Sequence, residues 1–205
     1  MSTSEQALTY HKHHRDAFKE QLFALLRIPS VSTDPNFGSD VRRAAEWVKA
    51  HAIGCGLNAS LIETLGHPAV YAETPQIAGR PTVLIYGHYD VQPPDPIELW
   101  DSPPFEPVEK DGKVYARGSC DDKGQMFMHL KAVESWMKSA GAPPVNVKFL
   151  IEGEEESGSA HLPRLLKEEQ SRLAADVVLV SDTALFGSGE PSITTGLRGL
   201  AYCVF

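Results

Sequence analysis

Apolar residues along this chain keep two alternating rhythms, one of helices and one of strands. Phe18, Leu22, Leu25 and Leu26 recur at helical spacing ahead of Pro29, and Val41, Ala44, Ala45 and Val48 repeat the pattern behind Ser39 and Asp40, which read as an N-cap. The spacing predicts two amphipathic helices at the start. Short strand-like runs follow, ASLIET and AVYAET, and then TVLIYGHYD, whose unbroken apolar stretch suits a strand covered on both faces. Beyond a proline-rich loop, DVQPPDPIELWDSPPFEP, the turn signal KDGK leads into VYARGSCDDKG. Met126, Leu130, Val133 and Met137 mark a further helix closed by Gly141. VNVKFLIEG reads as a buried strand, SAHLPRLLKEEQSRL as a helix and DVVLVSD as another buried strand. Strands alternating with helices predict an α/β fold, a mostly parallel sheet flanked by helices. The tail SITTGLRGLAYCVF starts a new β-like segment with apolar Ala201, Val204 and Phe205, so the reading divides the chain into residues 1–190 and 191–205.

Composition narrows the function. With 205 residues the chain can bury a substantial core, and its net charge of −8, from 27 acids against 19 bases, excludes non-specific attraction to nucleic acid or anionic membranes as its purpose. No apolar run approaches the roughly 20 residues of a membrane helix, and the polar start MSTSEQALTYHKHH lacks the layout of a secretory signal. The reading is a cytoplasmic protein with neither nucleic acid nor membrane as partner. Cys55, Cys120 and Cys203 are too few and too scattered for a disulfide framework or a zinc knuckle, and buried thiols are the expectation for all three. Cys120 is the one to watch, because it precedes Asp121 in a polar loop.

Chemistry concentrates at the strand ends. VLIYGHYD ends in His88 and Asp90, VKFLIEGEEE in Glu152, Glu154, Glu155 and Glu156, and VVLVSD in Asp182. Open α/β sheets bind ligands at the carboxyl ends of their strands, so these three sets can meet in one crevice. Asp121 and Asp122 in RGSCDDKG, just before a helix, form a fourth set; alone they could simply favour the positive end of the helix dipole. Imidazole and carboxylates together suit zinc, or manganese where carboxylates dominate. The His-x-Asp spacing lets Asp90 orient the His88 ring through its second nitrogen, although a plain turn-forming Asp has the same spacing.

YGHYDVQP, WDSPPFEPVEKDGKVYARGSCDDKGQ, IEGEEESGS and VSDT, in this order, resemble the catalytic domain of the di-metal peptidase family of carnosinase-type dipeptidases, glutamate carboxypeptidase, succinyl-diaminopimelate desuccinylase and acetylornithine deacetylase. WDSPPF, EESGS and TTGLRG resemble the carnosinase-type branch most. The resemblance runs from about residue 81 onward. It implies two divalent ions, zinc first and manganese or cobalt as alternatives, with His88 and Asp182 on one ion, Asp121 bridging and Glu156 on the other. It also implies Glu155 as general base and a cis peptide at Asp121–Asp122, and the reading sets Asp90, behind His88, beside Glu155 as a catalytic residue. The activity implied is hydrolysis of a dipeptide or short peptide, or of an N-acyl amino acid, with Glu155 passing a proton from water to the leaving amine.

Members of that family are longer. The resemblance implies that residues 1–190 are the N-terminal part of the catalytic domain and 191–205 the first strand of a lid and homodimerisation domain, and that a later segment brings a histidine to the second ion. His11, His13, His14, His51, His67, His129 and His161 offer no strand-end substitute. Two other readings compete: a non-catalytic metal-binding module, against which Glu155 beside Glu156 speaks, and a cysteine hydrolase on Cys120, whose acidic neighbours would raise rather than lower a thiol pKa.

Overall fold

In the computed structural model, which describes residues 1–187, 189–196, 199, 201 and 203, the alternating rhythms become a five-stranded sheet with helices on both faces. Helix α1 (Thr3–Leu26) opens with a capping box: the Ser2 hydroxyl accepts from the Glu5 N–H and the Glu5 carboxylate accepts from the Ser2 N–H. Helix α2 (Gly38–Gly54) does not use Ser39–Asp40 as its cap. A 3₁₀ turn over Pro35–Phe37, capped by the Asp34 carboxylate on the Asn36 N–H, feeds the chain into the helix, so Asp40 already lies in its first turn and serves the helix dipole there.

Strands β1 (Asn58–Ile62), β2 (Ala69–Glu73) and β3 (Thr82–His88) follow. The KDGK turn joins β4 (Val108–Lys110) to β5 (Lys113–Tyr115), with Asp111 and Gly112 at φ 54° and 73°, as a two-residue hairpin requires. Helix α3 (Lys123–Ala140) stops at Gly141, φ 80°, and leads to β6 (Asn146–Glu152). The single helix expected next is two, α4 (Leu162–Glu168) and α5 (Gln170–Leu173), parted at Glu169, before β7 (Val177–Val180).

The strand order is β1-β2-β6-β3-β7. β3 runs parallel to both β6 and β7, while β1 and β2 join antiparallel, so the sheet is mixed and its parallel part is the trio of strands that end in candidate ligands. Register sets His88 beside Glu152 and Tyr86 beside Val180. Alternation then sorts the core. Ile85, Val147, Phe149, Ile151, Val70 and Ala72 pack under α1, α2 and α3, and Leu84, Leu150, Ala69 and Tyr71 pack against Leu165 and Leu173 of α4 and α5.

Two expectations need correction. DVVLVSD reads as a buried strand, yet β7 pairs only with β3 among the described residues, and Val177, Val178 and Val180 are more than half exposed. An apolar run reports what a strand could bury, not whether an element lies over it. Cys55 is buried, but Cys120 and Cys203 are exposed, because both lie outside the packed layers. Residues 191–196 carry no strand, and the rest of the strand expected there, including Val204 and Phe205, falls on or between residues outside the described set. No helix among the described residues is long and apolar enough to cross a membrane.

Two ties hold the frame of the site. The buried Lys123 ammonium, at the start of α3, donates to the carbonyls of Leu25 and Ile28 at the end of α1 (3.3 and 2.7 Å). Tyr89, fully buried, donates to the Pro68 carbonyl at 2.6 Å, and Gly153 passes so close that a Cβ there would overlap the Tyr89 hydroxyl. Gly153→Ala should therefore lower stability by about 1–3 kcal/mol, read as a reduced urea midpoint at unchanged m-value. An unchanged midpoint would mean that Tyr89 yields freely.

Candidate metal centre

His88 ends β3 and is completely buried. Its Nδ1 faces Asp90, 3.1 Å from the carbonyl and 3.3 Å from Oδ1. Its Nε2 faces the acids: Asp121 Oδ1 at 3.2 Å, Asp182 Oδ2 at 3.6 Å and Glu155 Oε2 at 4.0 Å. The ring thus uses one nitrogen for Asp90 and presents the other to the cluster, the division of labour expected of a ligating histidine and its orienting carboxylate. Asp90 is itself fixed from two directions, since its Oδ2 accepts from the Ser32 hydroxyl at 2.6 Å and from the Glu156 N–H at 3.1 Å.

Asp121 and Asp122 are joined by a cis peptide, and they divide the work. Asp121 is half exposed and faces His88. Asp122 is buried and accepts the His88 backbone N–H at 3.1 Å, which locks the start of α3 to the end of β3. Asp182 lies two residues past the end of β7, and His129 of α3 meets the intervening Ser181 hydroxyl at 2.7 Å.

Each glutamate of EGEEE has its own surroundings. Glu152, buried, accepts from the Tyr86 and Ser159 hydroxyls. Glu154, also buried, pairs with His161. Glu156 accepts from the Gln92 side-chain amide at 2.7 Å. Glu155 is left facing His88. Ligand-capable atoms of His88, Asp121 and Asp182 lie within 4.8 Å of one another, and so do those of His88, Glu155 and Glu156. The structure therefore brings His88, Asp121, Asp182, Glu155 and Glu156 together in two groups that share His88, with Asp90 behind the ring; Asp121, expected to bridge, falls in the first group alone. Gln92 and Ser32 are the partners that residue chemistry alone did not single out. Gln92 at least stands inside a quoted motif, whereas Ser32 carries no signal.

The charges explain why such a cluster suits cations. No Lys or Arg forms an ion pair with these acids among the described residues. Burial would lower the His88 pKa, yet Asp90, Asp122 and Asp182 outweigh it and raise the value to about 10. Burial pushes Asp122 up to about 7 against the pull of His88. Burial also raises Glu155 and Glu156, reinforced by neighbouring carboxylates and opposed by His88 and, at Glu156, more strongly by the Gln92 amide. One Oδ1 on each of Asp90 and Asp122 is enclosed without a hydrogen bond. One imidazole with several carboxylate oxygens, under-compensated in charge, fits divalent ions. A third trio, His51, Cys55 and Glu134, lies between α2 and α3, but there the Lys131 ammonium already pairs with Glu134.

Candidate ligands gather at the carboxyl ends of parallel strands, inside a mixed sheet flanked by helices, which defines an α/β domain with its candidate metal centre at the strand ends. Residues 84–196, more than half of the chain, match Peptidase family M20/M25/M40, and the chain belongs to that family. It is 39% identical over 137 residues to the Beta-Ala-His dipeptidase of Homo sapiens, covering 66% of this chain and 27% of the relative. It is 34% identical over 208 residues to the Cys-Gly metallodipeptidase DUG1 of Saccharomyces cerevisiae, covering 91% of this chain and 43% of the relative. The crystal structure of human carnosine dipeptidase 1 superimposes with a TM-score of 0.82 at 30% identity, over 91% of this chain and 42% of that one. The chain thus spans less than half the length of these relatives.

A pH dependence follows for chelator-treated protein. The folded pKa of His88 is raised from 6.5 to about 10, so its contribution to stability is complete below about pH 6.5 and is lost as the pH rises toward 10. Thermal melts should show a midpoint that falls across this range and flattens in His88→Gln. Added zinc should abolish the fall, because ligation takes the neutral ring. An imidazole resonance titrating near 6.5 in the chelated protein would contradict this.

Proposed function

We propose that the whole protein hydrolyses the amide bond of dipeptides or short peptides with two divalent ions, and that this chain carries most of the ion-binding set. The observation that supports the reading best is the division of the His88 ring, with Nδ1 on Asp90 and Nε2 toward Asp121, Asp182 and Glu155. His88, Asp121 and Asp182 would hold one ion, and Glu156 with Asp121 the other. Zinc is assigned first, with manganese or cobalt able to use the same donors. Bound ions would lower the pKa of water and polarise the amide carbonyl.

The remaining work belongs to the chain. Glu155 is the general base, because it is the one glutamate of EGEEE with neither a hydroxyl, an amide nor a histidine hydrogen-bonded to its carboxylate. Burial and neighbouring acids raise its pKa, which strengthens it as a proton acceptor and readies it to pass that proton to the leaving amine. Asp90 holds the His88 ring so that Nε2 stays turned to the ions. The substrates named for the relatives, β-Ala-His and Cys-Gly, are the first dipeptides to assay. The same reading includes a cytoplasmic homodimer whose pairing domain begins with residues 191–205.

Metal content of the dialysed chain, by mass spectrometry, should show bound zinc that Asp121→Ala removes; a variant that keeps its full complement would refute the bridging role. In the whole protein, Glu155→Gln should leave metal content unchanged and lower kcat for Cys-Gly by about 10²–10⁴-fold. Comparable loss of metal and rate would instead make Glu155 a ligand. N-acyl amino acids assayed in parallel should be poorer substrates than dipeptides, and the reverse order would make the protein a deacylase.

A further inference from the structure

The turn that carries Glu155 and Glu156 is difficult to hold. It is a single 3₁₀ turn, Glu155–Ser157, with two adjacent acids, and the chain leaves it through Gly158 and Ser159, both in the left-handed region at φ 92° and 49°. Ser159 adopts that conformation without being glycine, at some cost in strain. What opposes the opening of this turn is Glu154. Its carbonyl accepts from the Ser159 N–H at 2.7 Å, the Ser157 N–H at 3.1 Å and the Ser157 hydroxyl at 3.1 Å. A residue whose backbone gathers three donors must itself be fixed.

The Glu154 side chain supplies that fixture. Its carboxylate is 11% exposed, and its two oxygens lie 3.0 and 2.9 Å from His161 Nδ1. His161 is the N-cap residue of α4, so the contact ties the turn to the helix that follows it. The loop between β1 and β2 closes the third side. At Gly66 a Cβ would overlap Glu154 Oε1 and come within 2.8 Å of His161 Nδ1, so that loop rests directly on the pair. The loop is held in turn by the Thr64 hydroxyl, which accepts from the Gly66 N–H at 3.0 Å and donates to the His67 carbonyl at 2.7 Å.

We infer that Glu154 and His161 are a positioning pair: they clamp the Glu155–Ser157 turn between α4 and the β1–β2 loop and so set the aim of Glu155 and Glu156. The inference rests on the proposed roles of those two residues as base and ligand. It gives the pair a task beyond filling space. An apolar contact could fill the gap under Gly66, but only a directional bond to His161 fixes the rotation of Glu154, and with it the carbonyl that receives the turn.

The test uses two reporters that need no bound ion: the Glu156 N–H, bonded to Asp90, and the Gln92 side-chain amide, bonded to Glu156. In 15N NMR spectra, Glu154→Ala and His161→Ala should each displace both resonances, while Glu154→Gln, which keeps a hydrogen bond, should leave them near their original positions. Cobalt titrations followed by visible absorption should show ion affinity weakened about ten- to a hundredfold in the alanine variants. The Glu154→Ala/His161→Ala double variant should be no worse than either single. Unmoved reporters, unchanged cobalt affinity, or single effects that add in the double variant would each overturn the clamp. If His161→Ala does not fold, His161→Asn read by the same reporters takes its place. If the unaltered chain binds no cobalt, the claim that this chain carries most of the ion-binding set fails while the reporters still decide the positioning role.

Discussion

Carboxylates gathered at one end of a sheet repel one another, and this repulsion is the constraint on which the rest of the site depends. Five acids, Asp90, Asp121, Asp182, Glu155 and Glu156, surround one buried imidazole. The fold restrains them in layers. Parallel pairing of β3 with β6 and β7 brings the strand ends level, and the segments that leave β3 and β6 at that edge carry Asp121, Glu155 and Glu156 to it. Hydrogen bonds then fix individual groups: Ser32 and the Glu156 N–H on Asp90, the His88 N–H on Asp122, Gln92 on Glu156. The stability lost to repulsion in the folded chain is what cation binding can recover, so a site that is costly to build is for the same reason attractive to a divalent ion.

Much of this was legible in the sequence. The apolar runs before His88, Glu152 and Asp182 located three strand ends, and the open-sheet rule sent them to one crevice, where the structure has them. The helices before Pro29 and before Gly141 ended as the breakers required. The missed parts share a physical cause. Ser32 reaches Asp90 from 58 positions away and Gln92 reaches Glu156 from 64. Such partners are chosen by tertiary proximity, and a serine or glutamine in a loop carries no chemical signature of its own. The exposure of β7 was illegible for a related reason: Val177 to Val180 have the composition of a covered strand, and composition is silent about what lies over it.

The same limit applies to EGEEE. Four glutamates in five residues looked alike on paper, and only their surroundings separate a buried hydroxyl acceptor, a histidine partner, a carboxylate facing His88 and an amide-held group. Distinct roles for identical residues are set by burial and by neighbours, as their different contacts with Tyr86, His161, His88 and Gln92 illustrate.

The edge strand gives the arrangement a further property. Asp182 stands just past β7, the least covered strand of the sheet among the described residues, while His88, itself fully buried, ends the better covered β3 beside it. Any ion held between the two side chains spans a boundary between rigid and loosely supported backbone. By linkage, whatever free energy the ion gains from Asp182 is returned as protection against local opening of β7. Amide hydrogens along Val177–Val180 would then exchange more slowly as the ion concentration rises, so the least sheltered strand of the sheet acts as a gauge of how full the site is.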